Sequence, residues 1–246
     1  DAARHGAVGH GVDSFGGVRI WARPGNGGRL WDTVYGSHDT SVKMGGAPTL
    51  LVLAGGQGAR LGGLPKGLIR LPDGTTIVEH LLELTDGPAF VSTNHPEWYE
   101  RLDVPLVADL VPDRGAPGGV VTGLAMATTE WVTVVACDMP FVTREMLDTL
   151  WQHRHAHVDA VCFERDGGLE PLVGLYRRAL VYDWEPRLDG CPSMRSLAES
   201  VRLDTVRWHE PARLMSLNSR DDFRNAAESF RNNRSVGTVP LQVAPW

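Results

Sequence analysis

A short apolar run, Thr49-Leu50-Leu51-Val52-Leu53-Ala54, leads directly into a glycine-rich loop, Gly55-Gly56-Gln57-Gly58-Ala59-Arg60-Leu61-Gly62-Gly63-Leu64-Pro65-Lys66. A run this short and this continuous suits a strand buried on both faces, the usual condition of a parallel strand in an α/β sheet. Glycines just beyond such a strand let the backbone approach an anion and turn its N–H groups toward it. Arg60 and Lys66 add positive charge suited to a polyphosphate; the plain alternative is a tight turn followed by two solvated basic residues. Two familiar phosphate loops are excluded by spacing. Lys66 is preceded by Pro65 and followed by Gly67, so the Gly-Lys-Ser/Thr ending of a P-loop is absent. Gly56 and Gly58 fit a dinucleotide fingerprint, but Leu61 occupies its third glycine position and no acid follows at a strand end for a ribose.

Further along, apolar runs and helical periods alternate. Ile77–Leu84 has helical spacing with Thr76 as a cap, and Ala89–Thr93 reads as a second strand. Pro96–Arg101 is a short helical candidate, Leu106-Val107 a short strand, Gly119–Thr128 a helix, and Trp131–Ala136 a buried strand. Thr143–Trp151 is a helix capped by Thr143. Ala160–Phe163 and Leu172–Tyr176 read as two strands joined through Asp166-Gly167-Gly168, followed by helices at Ser193–Val201 and Asp221–Phe230. The expected fold is a Rossmann-like, three-layer α/β/α open sheet, whose ligands bind beyond the carboxyl ends of the strands. Polar and glycine residues gather at those ends: Gly55–Gly58, Asn94, Asp109 and Asp138.

The net charge of −6 argues against a general nucleic-acid or anionic-membrane binder. No apolar run approaches the roughly 18–20 residues of a membrane span. Cys137, Cys162 and Cys191 are odd in number and lack CxxC spacing, so neither a disulfide framework nor a zinc site is indicated, and a cytoplasmic location is expected. Residues 1–46 hold 11 of the 28 glycines and show no sustained period, which predicts a poorly ordered extension. Residues 47–230 form the expected domain, and 231–246 a tail.

Asp138 follows a buried strand in Cys137-Asp138-Met139-Pro140, where a carboxylate suits Mg²⁺; a cap for the next segment is the other reading of an aspartate there. Cys137 reads as a packing residue. His153, His155 and His157 alternate and fit no single helical face, so they are read as a solvated helix end.

Taken together, Leu-Ala-Gly-Gly-x-x-x-Arg-Leu-Gly-Gly-x-x-Lys-Gly-Leu at 53–68, Cys-Asp-Met-Pro at 137–140 and Leu-Asn-Ser-x-Asp-Asp at 217–222 resemble the molybdenum cofactor guanylyltransferase family. The resemblance spans residues 49–226, and the order of the motifs is more specific than the first alone, which many nucleotidyltransferases share. It implies a nucleotidyltransferase-type domain that joins GMP from GTP to the terminal phosphate of molybdopterin, releases pyrophosphate and depends on Mg²⁺. It also implies molybdenum-insertion proteins and molybdoenzymes as partners.

On the matching positions, the resemblance implies GTP contacts from Leu53, Ala54, Gly55, Gly56, Lys66, Asn94, Asp109 and Asp138. Lys66, Asp138 and Arg60 are the implied catalytic residues, Asp138 the metal ligand, and Asn218 an acceptor-side residue. Three places depart from the family pattern: Ser216 replaces the first asparagine of Asn-x-Asn-Thr, Gly115-Ala116-Pro117-Gly118-Gly119 replaces Gly-Pro-Leu-x-Gly, and Glu170-Pro171 replaces a frequent His-Pro. These bear on acceptor and base more than on triphosphate binding. Glu170 reads as a surface acid at a turn. A cytidylyltransferase acting on the same pterin and a non-catalytic nucleotide-binding module are the competing readings.

Overall fold

Five consecutive buried residues, Thr49–Leu53, form strand β2, which is hydrogen-bonded on both edges to parallel neighbours. The structure is a computed structural model that describes residues 19–20, 46–55, 65–71, 73–165, 168–218 and 222. Among these, eight strands form one sheet: β1 (Arg19–Ile20), β2, β3 (Ala89–Ser92), β4 (Leu106–Val107), β5 (Trp131–Ala136), β6 (Ala160–Arg165), β7 (Gly168–Arg177) and β8 (Leu203–Arg207). Their spatial order is β1-β4-β3-β2-β5-β7-β6-β8. All pairings are parallel except those of β7, which runs against both β5 and β6. Of the expected N-terminal extension, Arg19–Ile20 and Gly46 are described, and the former pairs with Leu106–Val107 at the sheet edge.

Helices cover both faces, as the double-sided burial of β2 requires. Leu50, Val52 and Ala54 pack with Ile77, Val78 and Leu81 of α1 (Ile77–Leu82) and with Met146 and Leu150 of α3 (Arg144–Gln152). Leu51 and Leu53 point the other way, into a core shared with Val120, Val121 and Leu124 of α2 (Gly115–Met126), Trp184 of α4 (Val181–Trp184) and Leu197 of α5 (Met194–Glu199). Alternate residues of one strand therefore anchor two opposite helix layers.

The expected elements that fall within the described residues are present with shifted ends. Pro96–Trp98 is a single 3-10 turn rather than a longer helix. α2 starts at Gly115, four residues before the expected start, because packing overrides the poor helix propensity of glycine. A Cβ on Gly123 would lie 2.2 Å from Leu51 Cδ2, so the missing side chain sets how closely α2 approaches β2. β8 and α4 were not expected. In β8 only Val206 is buried, which leaves a faint apolar signal. The expected helix at 221–230 and tail at 231–246 fall outside the described residues, Asp222 excepted.

α1 begins with a capping box. Thr76 Oγ1 accepts from the Glu79 N–H at 3.3 Å, and Glu79 Oε2 accepts from the Thr76 N–H at 2.6 Å. The Thr76 N–H, and then its hydroxyl, which donates to the same Oε2 at 2.8 Å, hold the Glu79 carboxyl below its ordinary range. A depressed folded-state value stabilises the fold above the unfolded-state value and ceases to do so as pH falls through the folded one. Thr76→Ala is expected to cost about 1 kcal/mol at neutral pH, and to lose less further stability than the parent on acidification below about pH 4.5. Chemical denaturation at two pH values measures both.

Candidate functional site

The carboxyl ends of β3, β2 and β5 are held level by the main chain. Ala54 N–H donates to Ser92 O at 2.8 Å, and Cys137 N–H donates to Leu53 O at 2.9 Å. After β2 the strand order turns: β3 and β4 lie to one side and β5 to the other. This is the topological switch point at which open α/β sheets bind ligands. Leu53 and Ala54 are buried here and Gly55 is exposed, so the chain reaches solvent at this point. Gly56 and Arg60 lie outside the described residues.

On the β4 side, Asp109 is fixed from three directions. Ser92 Oγ donates to its Oδ1 at 3.0 Å, Asn94 Nδ2 donates to its Oδ2 at 3.1 Å, and its own backbone N–H donates to Asn94 Oδ1 at 3.0 Å. Burial raises the Asp109 carboxyl above its ordinary value, opposed by the hydrogen bonds from Asn94 and Ser92. A Cβ on Gly119 would stand 3.2 Å from Ser92 Oγ and 3.4 Å from Asp109 Oδ1. The first turns of α2 thus close against this pair, and the glycine-rich stretch Gly115–Gly119 belongs to the helix.

On the β5 side, the Lys66 ammonium donates to Asp138 Oδ2 at 3.1 Å and to Asn218 Oδ1 at 2.7 Å. Residues 72 and 152 positions away in sequence therefore meet on one lysine. Leu217 N–H donates to Asp138 O at 2.7 Å and docks the 215–218 segment against the end of β5. Asn218 is held in turn by its N–H to Asp222 Oδ2 at 2.9 Å and by its Nδ2 to Ser216 Oγ at 2.9 Å. Ser216, a departure from the family pattern, thus supports Asn218 directly. Asp138 Oδ1 is buried and has no hydrogen-bond partner among the described residues. A carboxylate with one oxygen left unpartnered, whose other oxygen shares a cation with a neighbouring amide oxygen, is a donor set that fits a hard divalent cation.

Lys66 is carried by a 3-10 turn, Lys66–Leu68, seated on a buried floor. A Cβ on Gly67 would lie 2.4 Å from Val78 Cγ2 and 2.7 Å from Tyr99 Oη, and both neighbours are fully buried. Beneath the turn, Cys137 is pushed up to about 12, first by burial and then by the Asp138 charge. A thiol so placed stays protonated, in line with a packing role rather than a nucleophile. His153 closes the end of α3 and lies 3.2 Å from Asp204, away from these groups, as expected of a helix-end residue.

Glu170 corrects the expectation of a surface acid. It is half-buried at the start of β7, where burial raises its carboxyl and the Asp138 charge raises it further, against Arg165 and Arg195. Its sequence context, a Glu-Pro pair after a turn, gave no sign of this. Antiparallel β7 brings its first residues to the same end of the sheet as Asp138, which only the topology reveals.

The chain's residues 50–206 match the model of the MobA-like NTP transferase domain. The chain belongs to this family. A molybdenum cofactor guanylyltransferase of Cupriavidus pinatubonensis is 32% identical over 188 residues, which are 72% of this chain and 94% of that protein. One from Cupriavidus metallidurans is 36% identical over 186 residues, 71% and 91% of the two chains. The solved molybdopterin-guanine dinucleotide biosynthesis protein A of Archaeoglobus fulgidus superposes with a TM-score of 0.64 at 23% identity, covering 75% of this chain and 99% of that one, and shows the same fold. The protein is therefore a nucleotidyltransferase of molybdenum cofactor biosynthesis with the three-layer fold expected from its sequence. No described helix is long and apolar enough to cross a membrane.

Two outcomes follow from this packing. Gly67→Ala is expected to cost about 1–3 kcal/mol, because the added methyl meets two buried side chains, as denaturant unfolding measures. A thiol reagent at pH 8 is expected to modify exposed Cys191 in the native protein and to reach buried Cys137 and Cys162 only after denaturation, as read by mass spectrometry of labelled peptides.

Proposed function

We propose that the chain transfers GMP from GTP to the terminal phosphate of molybdopterin, giving the guanine dinucleotide cofactor and pyrophosphate, with Mg²⁺ held at Asp138. The observation that carries this reading is the meeting of Lys66, Asp138 and Asn218 at the switch point, one strand away from the Asp109–Asn94 pair. The names of the relatives above support the choice of donor and acceptor.

Asp109 provides acceptor oxygens with remaining lone pairs, aligned by Ser92 and Asn94. The Watson–Crick edge of guanine offers adjacent N–H donors, whereas that of cytosine offers one amino group beside two acceptors. A fixed carboxylate therefore favours GTP over CTP. Leu53, Ala54 and Gly55 form the floor on which base and ribose lie, and the family resemblance assigns a nucleotide contact to Gly56 and a catalytic charge to Arg60. Lys66, on its rigid turn, supplies a positive charge for the polyphosphate.

The attacking group is a phosphate already ionised at neutral pH, so no strong general base is required. The barrier is mainly repulsion between anions and the charge that develops on pyrophosphate. Asp138 and Asn218 would hold the metal through oxygen atoms, and a bound Mg²⁺ supplies Lewis-acid stabilisation of phosphate oxygens. Asn218, anchored through Ser216 and Asp222, orients the acceptor side. The product would pass from a cytoplasmic enzyme to molybdenum-insertion proteins and molybdoenzymes.

Incubation with molybdopterin, Mg²⁺ and either GTP or CTP, followed by product mass, tests donor and acceptor together. A GMP-containing dinucleotide is expected; a CMP product would overturn the choice of base. Asp138→Ala is expected to slow Mg²⁺-dependent pyrophosphate release by about 10²–10³, and an unchanged rate would remove Asp138 from the mechanism.

A further inference from the structure

The cationic nitrogen of Lys66 occupies a position with the character of a metal site. Its two acceptors are a carboxylate oxygen of Asp138 at 3.1 Å and the amide oxygen of Asn218 at 2.7 Å. Both are hard oxygen donors of the kind that hold Mg²⁺. The Lys66 side chain is largely withdrawn from solvent, with 16% of its surface exposed against 22% for Asp138, so the pair encloses the charge. A divalent cation held by these same two oxygens, Asp138 Oδ2 and Asn218 Oδ1, would need the volume that the ammonium fills. Two positive charges in contact repel strongly in such a partly enclosed place. The lysine and the metal therefore exclude each other from these oxygens.

The turn that carries Lys66 does not need to move for the exchange. Leu68 N–H donates to Pro65 O at 3.0 Å, Ile69 N–H donates to Lys66 O at 3.1 Å, and Gly67 is wedged against Val78 and Tyr99. Asn218 is likewise fixed by Asp222 and Ser216. What remains free to rotate is the four-carbon stem of the lysine, whose ammonium can donate to a phosphate as well as to a carboxylate.

We propose that Lys66 is a tethered cation that fills the divalent-metal site of the nucleotide-free protein and yields it when a polyphosphate draws the ammonium away. The proposal rests on the reading of Asp138 as a metal ligand. It makes metal affinity depend on nucleotide through one side chain, and by linkage nucleotide affinity depends on metal to the same degree. The nucleotide-free protein then has no excess charge at Asp138 and little affinity for free divalent cations.

The test measures Mn²⁺ binding to the full chain without nucleotide, from the loss of the free-ion electron paramagnetic resonance signal. Lys66→Met is expected to bind Mn²⁺ at least about tenfold more tightly than the parent, because the competing charge is gone. Adding Asp138→Asn to Lys66→Met is expected to abolish that gain. Mn²⁺ is also expected to raise the melting temperature of Lys66→Met more than that of the parent. Lys66→Gln, neutral and polar, serves if the methionine variant fails to fold. Equal Mn²⁺ affinity in the parent and the neutral variant overturns the tether while leaving Asp138 as a ligand. Failure of both to bind Mn²⁺, with and without GTP, overturns the tether together with the metal assignment.

Discussion

The site depends first on β2 being paired on both edges and buried on both faces. Its last residues bond to β3 through Ala54 and to β5 through the Cys137 N–H, so three strand ends finish at one level. No side chain is needed to hold that register; it follows from parallel ladders whose hydrogen bonds are satisfied within the sheet. The connections then diverge, and the groups beyond β4 and β5 are left at the same end of the sheet. Asp109 and Asp138 owe their positions to this register more than to any contact between them.

Tight packing under the site converts that register into rigidity. α2 approaches β2 so closely that a methyl group at Gly123 would overlap Leu51, and Gly119 closes on Ser92 and Asp109. The same closeness half-buries Asp109 and raises its carboxyl. A charged group in that position opposes folding unless its hydrogen bonds offset the lost hydration. Ser92 and Asn94 provide that offset, and in doing so fix the direction in which the remaining lone pairs face. The orientation of the Asp109 carboxylate and the energetic cost of its burial thus have one origin.

Much of this was legible in the residues, for identifiable reasons. The central strands were clear because burial on both faces writes an unbroken apolar run, as in Thr49–Leu53 and Trp131–Ala136. Thr76 and Thr143 marked helix starts because capping is local chemistry, and each side chain does accept a helical N–H. β8 was hidden because an edge strand with one buried residue carries little pattern. The start of α2 was misplaced because glycine signals flexibility in sequence, whereas here it serves close approach. Lys66, Asp138 and Asn218 were named separately from motifs. Their meeting is a long-range fact, since neither local spacing nor charge predicts which acceptor a lysine will reach.

Glu170 shows most plainly what sequence order conceals. In an all-parallel sheet, the neighbour of β5 would end where β5 ends and present another outgoing loop. β7 instead runs backwards, pairing Val173 with Val135, so its opening residues lie beyond the end of β5. Between β6 and β7 the register shifts at Cys162/Phe163, with Gly174 opposite the first and Glu170 opposite the second. Pro171, which has no N–H to give to a ladder, falls inside this interruption, and its carbonyl is taken by the Tyr176 hydroxyl at 2.5 Å. The shift leaves residues 171–173 without a partner on β6, while Glu170 stays opposite Phe163 and within the electrostatic reach of Asp138, with Arg165 and Arg195 balancing it. One reversed strand with one register shift thereby gives the two flanks of Asp138 different characters: a hydrogen-bonded Asp109–Asn94 pair toward β4, and a carboxylate with arginines toward β7.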